Sequence, residues 1–191
     1  DDPRALASFE RHVEDLLSLY GGEPGAVLYD PHPRYRSGQW ALAAPWVPKI
    51  AVQHHHAHIL SVMAEHGLEE ASGMSYAGTG FGTDGTVWGG EFLRATRHGF
   101  ERLGCFGPFR LPGGDAAVKH PLRIAAAVLA GGGLPVDRLL PEISPVEAAT
   151  IAGMLDRGIN APVCSSLGRI FDAAAALLGL VRETDYEGEG P

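Results

Sequence analysis

The sequence is poor in the residues and patterns that define several classes of protein. It has only two cysteines, Cys105 and Cys164, which lie far apart and form no C-x-x-C pair. This usage argues against a disulfide scaffold and a zinc ribbon, and it suits a reducing cytoplasm. No apolar run approaches the roughly 18 to 20 residues that cross a bilayer, so the sequence predicts no membrane association.

Basic residues are also scarce and form no cluster. The chain has 15 Lys and Arg against 23 Asp and Glu, which gives a formal net charge of −8. Nucleic-acid-binding surfaces neutralise phosphates with clustered basic side chains, so no nucleic-acid partner is expected. The chain is instead rich in glycine (26 of 191 residues) and proline (14), which separate periodic segments.

The periodic segments alternate between helix and strand over the first hundred residues, which predicts an α/β fold. Helical spacing of apolar residues recurs in six segments: 3–20, 35–44, 54–67, 120–130, 144–157 and 165–181. Strand patterns occupy 25–30, 47–53 and 71–82, and residues 86–106 alternate like antiparallel strands. We expect residues 1–107 to form a partial α/β sheet subdomain, and 108–191 a helical segment with the start of a second subdomain.

The stretch VQHHHAHILSVMAEHGL, residues 52–68, places four histidines in five positions at the start of a predicted helix. His54 and His58 are four residues apart and therefore share one helix face, a spacing that suits two imidazole ligands of one metal ion. The alternative is polar packing or a surface cluster. Two histidines do not complete a site, so at least one carboxylate ligand must come from elsewhere.

A glycine-rich stretch, GTGFGTDG at 78–85, follows a predicted strand. Gly78, Thr79 and Gly80 can bring backbone amides and one hydroxyl close to a phosphate. The alternative is a simple hairpin, because residues 83–85 (TDG) form a good turn between two strands. Both interpretations can hold together. Glu91, which follows Gly89 and Gly90, could face the site from its strand, but the favoured interpretation is an ordinary hairpin residue.

The stretch SSLGRIFDAAAALLGL, residues 165–180, begins with two serines near a predicted helix N-terminus, where partial positive charge favours an anion. Arg169 and Asp172 are three residues apart and share a face. The alternative is that the serines cap the helix and that Arg169 and Asp172 form a surface pair.

Together these stretches, in this order and with LPGGDAAVKHPLR (111–123) and YEG (186–188), resemble the HypF carbamoyltransferase family. The resemblance runs over essentially the whole chain. It implies part of an actin/Hsp70-like ATPase fold, a mixed sheet with helices plus a helical segment, within one incomplete carbamoyltransferase domain. The domain is similar to tRNA threonylcarbamoyltransferases and antibiotic O-carbamoyltransferases.

The resemblance also implies a chemistry. The full-length enzyme makes carbamoyl-adenylate from carbamoyl phosphate and ATP. It then passes the carbamoyl group to the C-terminal cysteine of a HypE-like acceptor protein in the maturation of [NiFe] hydrogenases, in the cytoplasm. We expect this fragment to be inactive alone. The alternatives are a threonylcarbamoyltransferase acting on tRNA, which the acidic balance disfavours, and a non-catalytic nucleotide-binding module.

Site residues follow from the resemblance position by position. His54 and His58 match the two metal-binding histidines, and zinc or iron suits them. The family pattern places an aspartate ligand immediately before GTG, where this chain has Ala77, so we expect weakened metal binding. Gly78, Thr79 and Gly80 would face phosphate, and Asp172 matches a contact to the nucleotide ribose. Ser165, Ser166 and Arg169 are expected to contact the nucleotide or carbamoyl phosphate.

Overall fold

The structure is a computed structural model of the 191-residue chain, and it describes residues 3–186 and 188–190. The helices are α1 Pro3–Tyr20, α2 Arg36–Ala43, α3 His54–Glu65, α4 Pro121–Gly131, α5 Val136–Leu139, α6 Pro145–Arg157 and α7 Leu167–Leu177, with a 3-10 helix at Gly114–Lys119. The strands are β1 Val27–Tyr29, β2 Lys49–Ala51, β3 Glu70–Phe81, β4 Val87–Thr96, β5 Gly99–Cys105, β6 Phe109–Arg110 and β7 Val163–Cys164. They form two compact units, Asp1–His54 and His55–Pro191.

The first unit contains two parallel strands with helices α1 and α2. β1 pairs with β2 in a register that sets Tyr29 opposite Ala51, and the amide of Val52 extends the pairing by donating to Tyr29 O at 2.9 Å. Parallel strands bring their carboxyl ends to one edge of the sheet, where ligands commonly bind in α/β folds. This edge carries Asp30, directly after β1, and His54, which begins α3 after β2.

The second unit contains a five-stranded mixed sheet. β3, β4 and β5 form an antiparallel meander, while β7 pairs parallel to β4 and antiparallel to β6. One face of the meander packs against α3, through a buried cluster of α3 and β4 residues: Ile59, Met63, Trp88, Leu93 and Ala95. A second core lies between the helices α4, α6 and α7 and contains Ile124, Ile151 and Ala173 among others.

Most predicted elements are confirmed, as is the α/β class. Helix α1 spans the predicted residues, and α6 begins after Ser144, whose Oγ accepts from the Glu147 amide at 3.2 Å as the first half of a capping box. The helix predicted at 165–181 is shorter, because it ends at Leu177. The strands β6 and β7 and the helix α5 were not predicted.

The glycine-rich stretch was predicted wrongly in one respect. It is not a turn that follows a strand, because β3 continues through it to Phe81, and the turn begins only after that residue. The predicted subdomain boundary at residue 107 falls within the second compact unit and stays a prediction. Among the described residues, no helix combines the length and apolar content needed to cross a bilayer.

Candidate functional site

His54 occupies the first position of α3, and a carboxylate holds its ring. Its Nδ1 lies 3.2 Å from Asp30 Oδ2 at the carboxyl edge of the β1–β2 pair. The second oxygen of Asp30 accepts the His32 amide at 2.9 Å. His58 lies one helical turn further along α3 and is exposed. The helix is confirmed, and the two imidazoles occupy the predicted i and i+4 positions.

The other two histidines of the stretch pack into the second unit. His55 is fully buried, and its ring lies 5.8 Å from the Trp88 ring, centroid to centroid. His56 Nε2 lies 2.9 Å from the carbonyl oxygen of Thr96. These positions fall on the α3 face that also buries Ile59, so the stretch divides between packing histidines and the pair considered as ligands.

The described residues fit a metal ion only in part. A carboxylate lies beside the His54 ring, as is common for a metal-bound histidine. However, no group of three or more His, Cys, Asp or Glu side chains within residues 3–186 and 188–190 could hold a metal ion. Ala77, at the position expected for a third ligand, offers a methyl group. A complete site would therefore need ligands beyond these residues.

The glycine-rich stretch forms a bulge in β3. Tyr76 pairs with Gly90 and Gly80 pairs with Trp88, so residues 77–79 together face one residue, Gly89, on β4. Such an insertion bends the strand and redirects its backbone groups, and bulges are common beside functional sites. The predicted phosphate-binding residues Gly78, Thr79 and Gly80 lie in or next to this bulge.

The N-terminus of α7 is fixed against the bulge by Ser166. Its Oγ caps the helix by accepting the Arg169 amide at 3.1 Å, and it lies within hydrogen-bonding distance of the carbonyl oxygens of Ala77, at 3.1 Å, and Gly78. The backbones are in close contact here, because a Cβ atom on Gly168 would lie 2.9 Å from Gly78 Cα. The predicted phosphate loop and the predicted anion-binding helix terminus therefore lie side by side.

The interpretation of Ser165 and Ser166 is settled in part by their burial. Their exposures are 3% and 0%, and the hydroxyl of Ser165 donates to Glu91 Oε1. Both hydroxyls are engaged within the protein. The helix-capping alternative is confirmed for Ser166, whereas a contact from either serine to a nucleotide stays a prediction.

Arg169 and Asp172 form a buried pair rather than a surface pair. Each is 2% exposed, and Arg169 Nε lies 2.9 Å from Asp172 Oδ2. Within the part of the chain that the structure describes, Arg169 Nη1 is buried and has no hydrogen-bond partner. A buried cationic donor without a partner is costly, and an anion would satisfy it. The backbone of Gly190 lies against Asp172, since a Cβ atom there would meet Oδ1.

Glu91, on β4, is a buried carboxylate that bonds to Ser165 just before α7. Its Oε1 accepts from the amides of Gly89 and Gly90 at 3.1 and 3.3 Å, in addition to Ser165. Its Oε2 lies 2.7 Å from Arg102 Nε and 2.6 Å from Arg102 Nη2. The interpretation of Glu91 as an ordinary hairpin residue is therefore wrong, because it is fully buried and joins β4, β5 and the start of α7.

Arg102 extends the network to the turn between β3 and β4. Its guanidinium carbon lies 4.2 Å from the centre of the Trp88 ring, and Nη1 donates to Asp84 Oδ2 at 3.0 Å. Asp84 Oδ1 in turn accepts from Trp88 Nε1 at 2.9 Å. Burial raises the pKa of the nearby Cys164 thiol to about 11, which disfavours the thiolate and agrees with a packing role for this residue.

Two protein-family models match this chain, over residues 1–65 and 73–191. The model described as the carbamoyltransferase Kae1-like domain, second subdomain, matches residues 73–191, which include the bulge, the Glu91 network and α7. The model of the HypF Kae1-like domain matches residues 1–65, which include Asp30, His54 and His58. The chain belongs to the HypF carbamoyltransferase family.

Curated HypF proteins are similar over nearly all of the chain. Carbamoyltransferase HypF2 of Cupriavidus necator is 44% identical over 191 residues, which cover 97% of this chain and 23% of the relative. Carbamoyltransferase HypF of Synechocystis sp. is 39% identical over 202 residues, covering 95% of this chain and 26% of the relative. This chain therefore spans about a quarter of the length of these HypF relatives.

Solved HypF structures share the fold. A crystal structure of full-length HypF in its phosphate- and nucleotide-bound form matches with a TM-score of 0.91 at 39% identity, over 100% of this chain and 25% of that one. The T. kodakarensis HypF structure matches with a TM-score of 0.76 at 35% identity, over 86% of this chain and 24% of that one. The fold class predicted from the HypF resemblance, part of an actin/Hsp70-like ATPase fold, is confirmed.

The sequence prediction did not include Asp30 beside His54, and it set Glu91 aside as a hairpin residue. Asp30 carries a usable signal, because it follows a short apolar strand directly and is followed by Pro31. A carboxylate at the carboxyl end of a parallel strand is a candidate for the ligand edge. Glu91 follows Gly89 and Gly90 in a strand, and nothing in its neighbours marks it as buried.

Proposed function

We propose that this chain is the part of a HypF protein that holds carbamoyl-adenylate and passes its carbamoyl group to the C-terminal cysteine of a HypE-like acceptor, in [NiFe]-hydrogenase maturation. The observation that carries the proposal is the match over the whole chain to a HypF structure in its phosphate- and nucleotide-bound form. Carbamoyl phosphate and ATP would be used by the full-length enzyme, and these substrates give the reaction a cytoplasmic setting.

The junction of the bulge with α7 is the proposed nucleotide-binding region. Gly78, Thr79 and Gly80 would offer backbone amides and a hydroxyl to phosphate, beside the positive end of the α7 dipole. Arg169 supports this assignment because its buried Nη1 is a donor that an anion would satisfy. Asp172 would contact the ribose, and this would require the segment at Gly190 to leave its present contact.

Ser165 and Ser166 enter the proposal by fixing the site, because their hydroxyls are engaged. Ser166 links the N-terminus of α7 to the carbonyls of the bulge. Ser165, the residue before it, is bonded through its hydroxyl to Glu91. A site whose donors are held before the substrate arrives stabilises developing charge without reorganising during the reaction. The two serines thus hold the phosphate-binding backbone in place.

His54 and His58 are proposed as two ligands of a zinc or iron ion, with the remaining ligands supplied from outside the described residues. A carbamoyl group is a poor electrophile because its nitrogen donates into the carbonyl, and adenylation supplies the leaving group. When bound, the cation would polarise the carbonyl or phosphate oxygen as a Lewis acid. The chain's own contribution is to hold the mixed anhydride in position for the acceptor thiolate.

The test uses the full-length protein that carries this chain, with ATP, carbamoyl phosphate and a HypE acceptor. Mass spectrometry of the acceptor's C-terminal peptide measures addition of one carbamoyl group. Thr79→Val keeps the shape of the side chain but removes the hydroxyl, so we expect transfer to fall by about 10-fold or more, as for the loss of a charge-stabilising donor. Thr83→Val, in the exposed turn, is the matched control and should transfer at the wild-type rate.

A second candidate is a nucleotide-binding module without transfer activity, which the alanine at position 77 favours. In that case the wild-type protein binds ATP but leaves the HypE cysteine unmodified at every time point. Transfer by wild type and by Thr83→Val, with a reduced rate for Thr79→Val, excludes the second candidate. Equal rates for all three proteins contradict the phosphate role of the bulge.

A further inference from the structure

We propose that Asp30 is the positioning residue of His54: its carboxylate holds the hydrogen on Nδ1 and so assigns metal binding to Nε2. The inference rests on the metal site of the proposed function and adds a residue to it. It is carried by the 3.2 Å contact between His54 Nδ1 and Asp30 Oδ2, two groups that come from separate segments of the first unit.

The β1–β2 pair brings the two residues together. Tyr29 pairs with Ala51, and Val52 continues the pairing by donating to the Tyr29 carbonyl, so the residues that follow each strand leave the sheet side by side. Asp30 is the first residue beyond β1. His54 begins α3 shortly after β2. Their contact is therefore a consequence of parallel pairing and not of chance proximity between flexible loops.

Asp30 is itself held in place before it meets the imidazole. Its Oδ1 accepts the His32 amide at 2.9 Å, which fixes the plane of the carboxylate within an Asx-type turn. The ring of His32 stacks on Tyr35, with centroids 4.1 Å apart. Helix α2 approaches closely at Gly38, where a Cβ atom would lie 3.2 Å from the Asp30 carbonyl oxygen. Oδ2 therefore meets His54 in a fixed position.

The consequence for His54 follows from the chemistry of the imidazole. A neutral ring carries one N–H and one lone pair, and an ionised carboxylate can only accept a hydrogen bond. The proton must then lie on Nδ1, which leaves the lone pair on Nε2 as the metal-binding electron pair. A carboxylate in this place fixes the tautomer and the ring orientation and raises the basicity of the ligating nitrogen.

The experiment measures metal affinity in the full-length protein by competition with a chromophoric chelator, using Zn²⁺ and Co²⁺. Asp30→Ala is expected to weaken binding by about 10- to 100-fold, the range for loss of an outer carboxylate. Asp30→Asn keeps an acceptor without the charge and should fall between Asp30→Ala and wild type. Asp15→Ala, an exposed carboxylate on α1 of the same unit, is the matched control and should bind as wild type.

Two readouts separate positioning from a merely structural role. The visible absorption of the Co²⁺ protein reports ligand geometry and is expected to change in Asp30→Ala. The imidazole ¹⁵N shifts of the metal-free protein, labelled at histidine, are expected to show the His54 proton on Nδ1 in wild type. In Asp30→Ala they are expected to show a mixture of the two neutral tautomers, with the proton on Nδ1 in some molecules and on Nε2 in others. A nitrogen spectrum unchanged by Asp30→Ala overturns the inference without reference to any metal.

His54→Ala and His58→Ala distinguish failure of the inference from failure of the proposed function. If both histidine variants bind metal as wild type does, the proposed metal site is wrong. If they lose the metal while Asp30→Ala keeps wild-type affinity and Co²⁺ absorption, the positioning role is wrong and the proposed function stands. A lower unfolding midpoint of metal-free Asp30→Ala with unchanged metal affinity also overturns the inference, since Asp30 would then only tie the fold together.

Discussion

A single carboxylate, Asp84, fixes the turn between β3 and β4. Its Oδ1 accepts from the Thr86 hydroxyl at 2.7 Å and the Thr86 amide at 3.0 Å, and Trp88 and Arg102 add two further donors. Desolvation raises the pKa of this carboxyl, but the bonds from Thr86, the bond from Trp88 and the charge of Arg102 together bring the pKa below its ordinary value. The turn is therefore held by the ionised form of the residue.

The lowered pKa of Asp84 determines how this residue makes the stability of the fold depend on pH. A carboxyl with a depressed folded-state pKa stabilises the fold above its unfolded value of about 3.9, and this contribution is lost as pH falls through the lower folded value. We expect Asp84→Asn to lower the unfolding midpoint at pH 7, and the difference from wild type to shrink below about pH 4. Thermal unfolding of the chain at several pH values measures this. Asp156→Asn, exposed on α6, controls for loss of charge, and a difference for Asp84→Asn that stays constant from neutral to acid pH contradicts the expectation.

Ala77 stands where the family resemblance predicts an aspartate ligand. Its carbonyl is held by Ser166, so the backbone at this position is fixed, and only the side chain lacks a ligand atom. We expect Ala77→Asp to raise metal affinity in the full-length protein by at least about 10-fold, since a direct ligand should add more than an outer one. Elemental analysis measures the metal retained. Ala77→Asn, which adds a weaker neutral ligand of the same size, should retain less, and equal metal in all three proteins contradicts a ligand role for this position.

At the scale of elements, the N-terminus of α7 is held more strongly than that of α6. Both helices have a serine cap, but Ser144 makes one exposed bond to an amide, whereas Ser166 is buried and also reaches two carbonyls of the bulge. We expect Ser144→Ala to lower the free energy of unfolding by about 1 kcal/mol. Ser166→Ala should lower it by about 2 to 3 kcal/mol, since carbonyl partners are lost as well.

The matched pair of substitutions makes the comparison independent of helix propensity, because each replaces a capping serine by alanine. Urea denaturation of the chain measures both losses. Equal losses would show that the bonds from Ser166 to Ala77 and Gly78 contribute nothing beyond an ordinary cap, and the link between α7 and the bulge would then have to rest on backbone contact alone.

The sequence predicts some elements better than others. An element is predictable when the residues that determine it lie close together in the chain. Helices α1 and α6 are marked by apolar periodicity and, for α6, by the Ser144 cap, all within a few residues of the chain. The bulge at 77–79 is defined by its pairing with Gly89 on another strand, so its own residues do not encode it. β7 has two residues and exists only because β4 and β6 lie on either side.

The candidate site shows the same division. The four-residue spacing of His54 and His58 is local and was predictable, as was the serine cap of α7. The contact between Asp30 and His54 spans 24 residues, and that between Glu91 and Ser165 spans 74, so both depend on strand pairing that the sequence does not display. The sequence does not distinguish a buried Asp or Glu from an exposed one, and only the fold shows which of them are buried.

At the scale of the whole molecule, three segments that are far apart in the sequence meet at one point of the second unit. β3 at Ala77, β4 at Gly89 and the start of α7 at Ser166 approach so closely that no side chain fits between them. A Cβ atom on Gly89 would lie 2.6 Å from the Ala77 carbonyl oxygen and 2.8 Å from Ser166 Cα, both of them backbone atoms. The proposed phosphate-binding bulge thus owes its shape to contacts across nearly ninety residues of chain.

Gly89→Ala tests this closure directly. Because the methyl group would meet backbone on both sides, β3 or α7 must move away, and we expect the free energy of unfolding to fall by about 1 to 3 kcal/mol, as for overpacking in a core. The same movement should weaken ATP binding by the full-length protein, since the bulge and the start of α7 separate. Gly107→Ala is the control, because a Cβ atom there meets nothing within 4 Å, and its effect should stay within about 0.5 kcal/mol. If Gly89→Ala unfolds and binds ATP as wild type does, the close approach of α7 to the bulge is not what shapes the site.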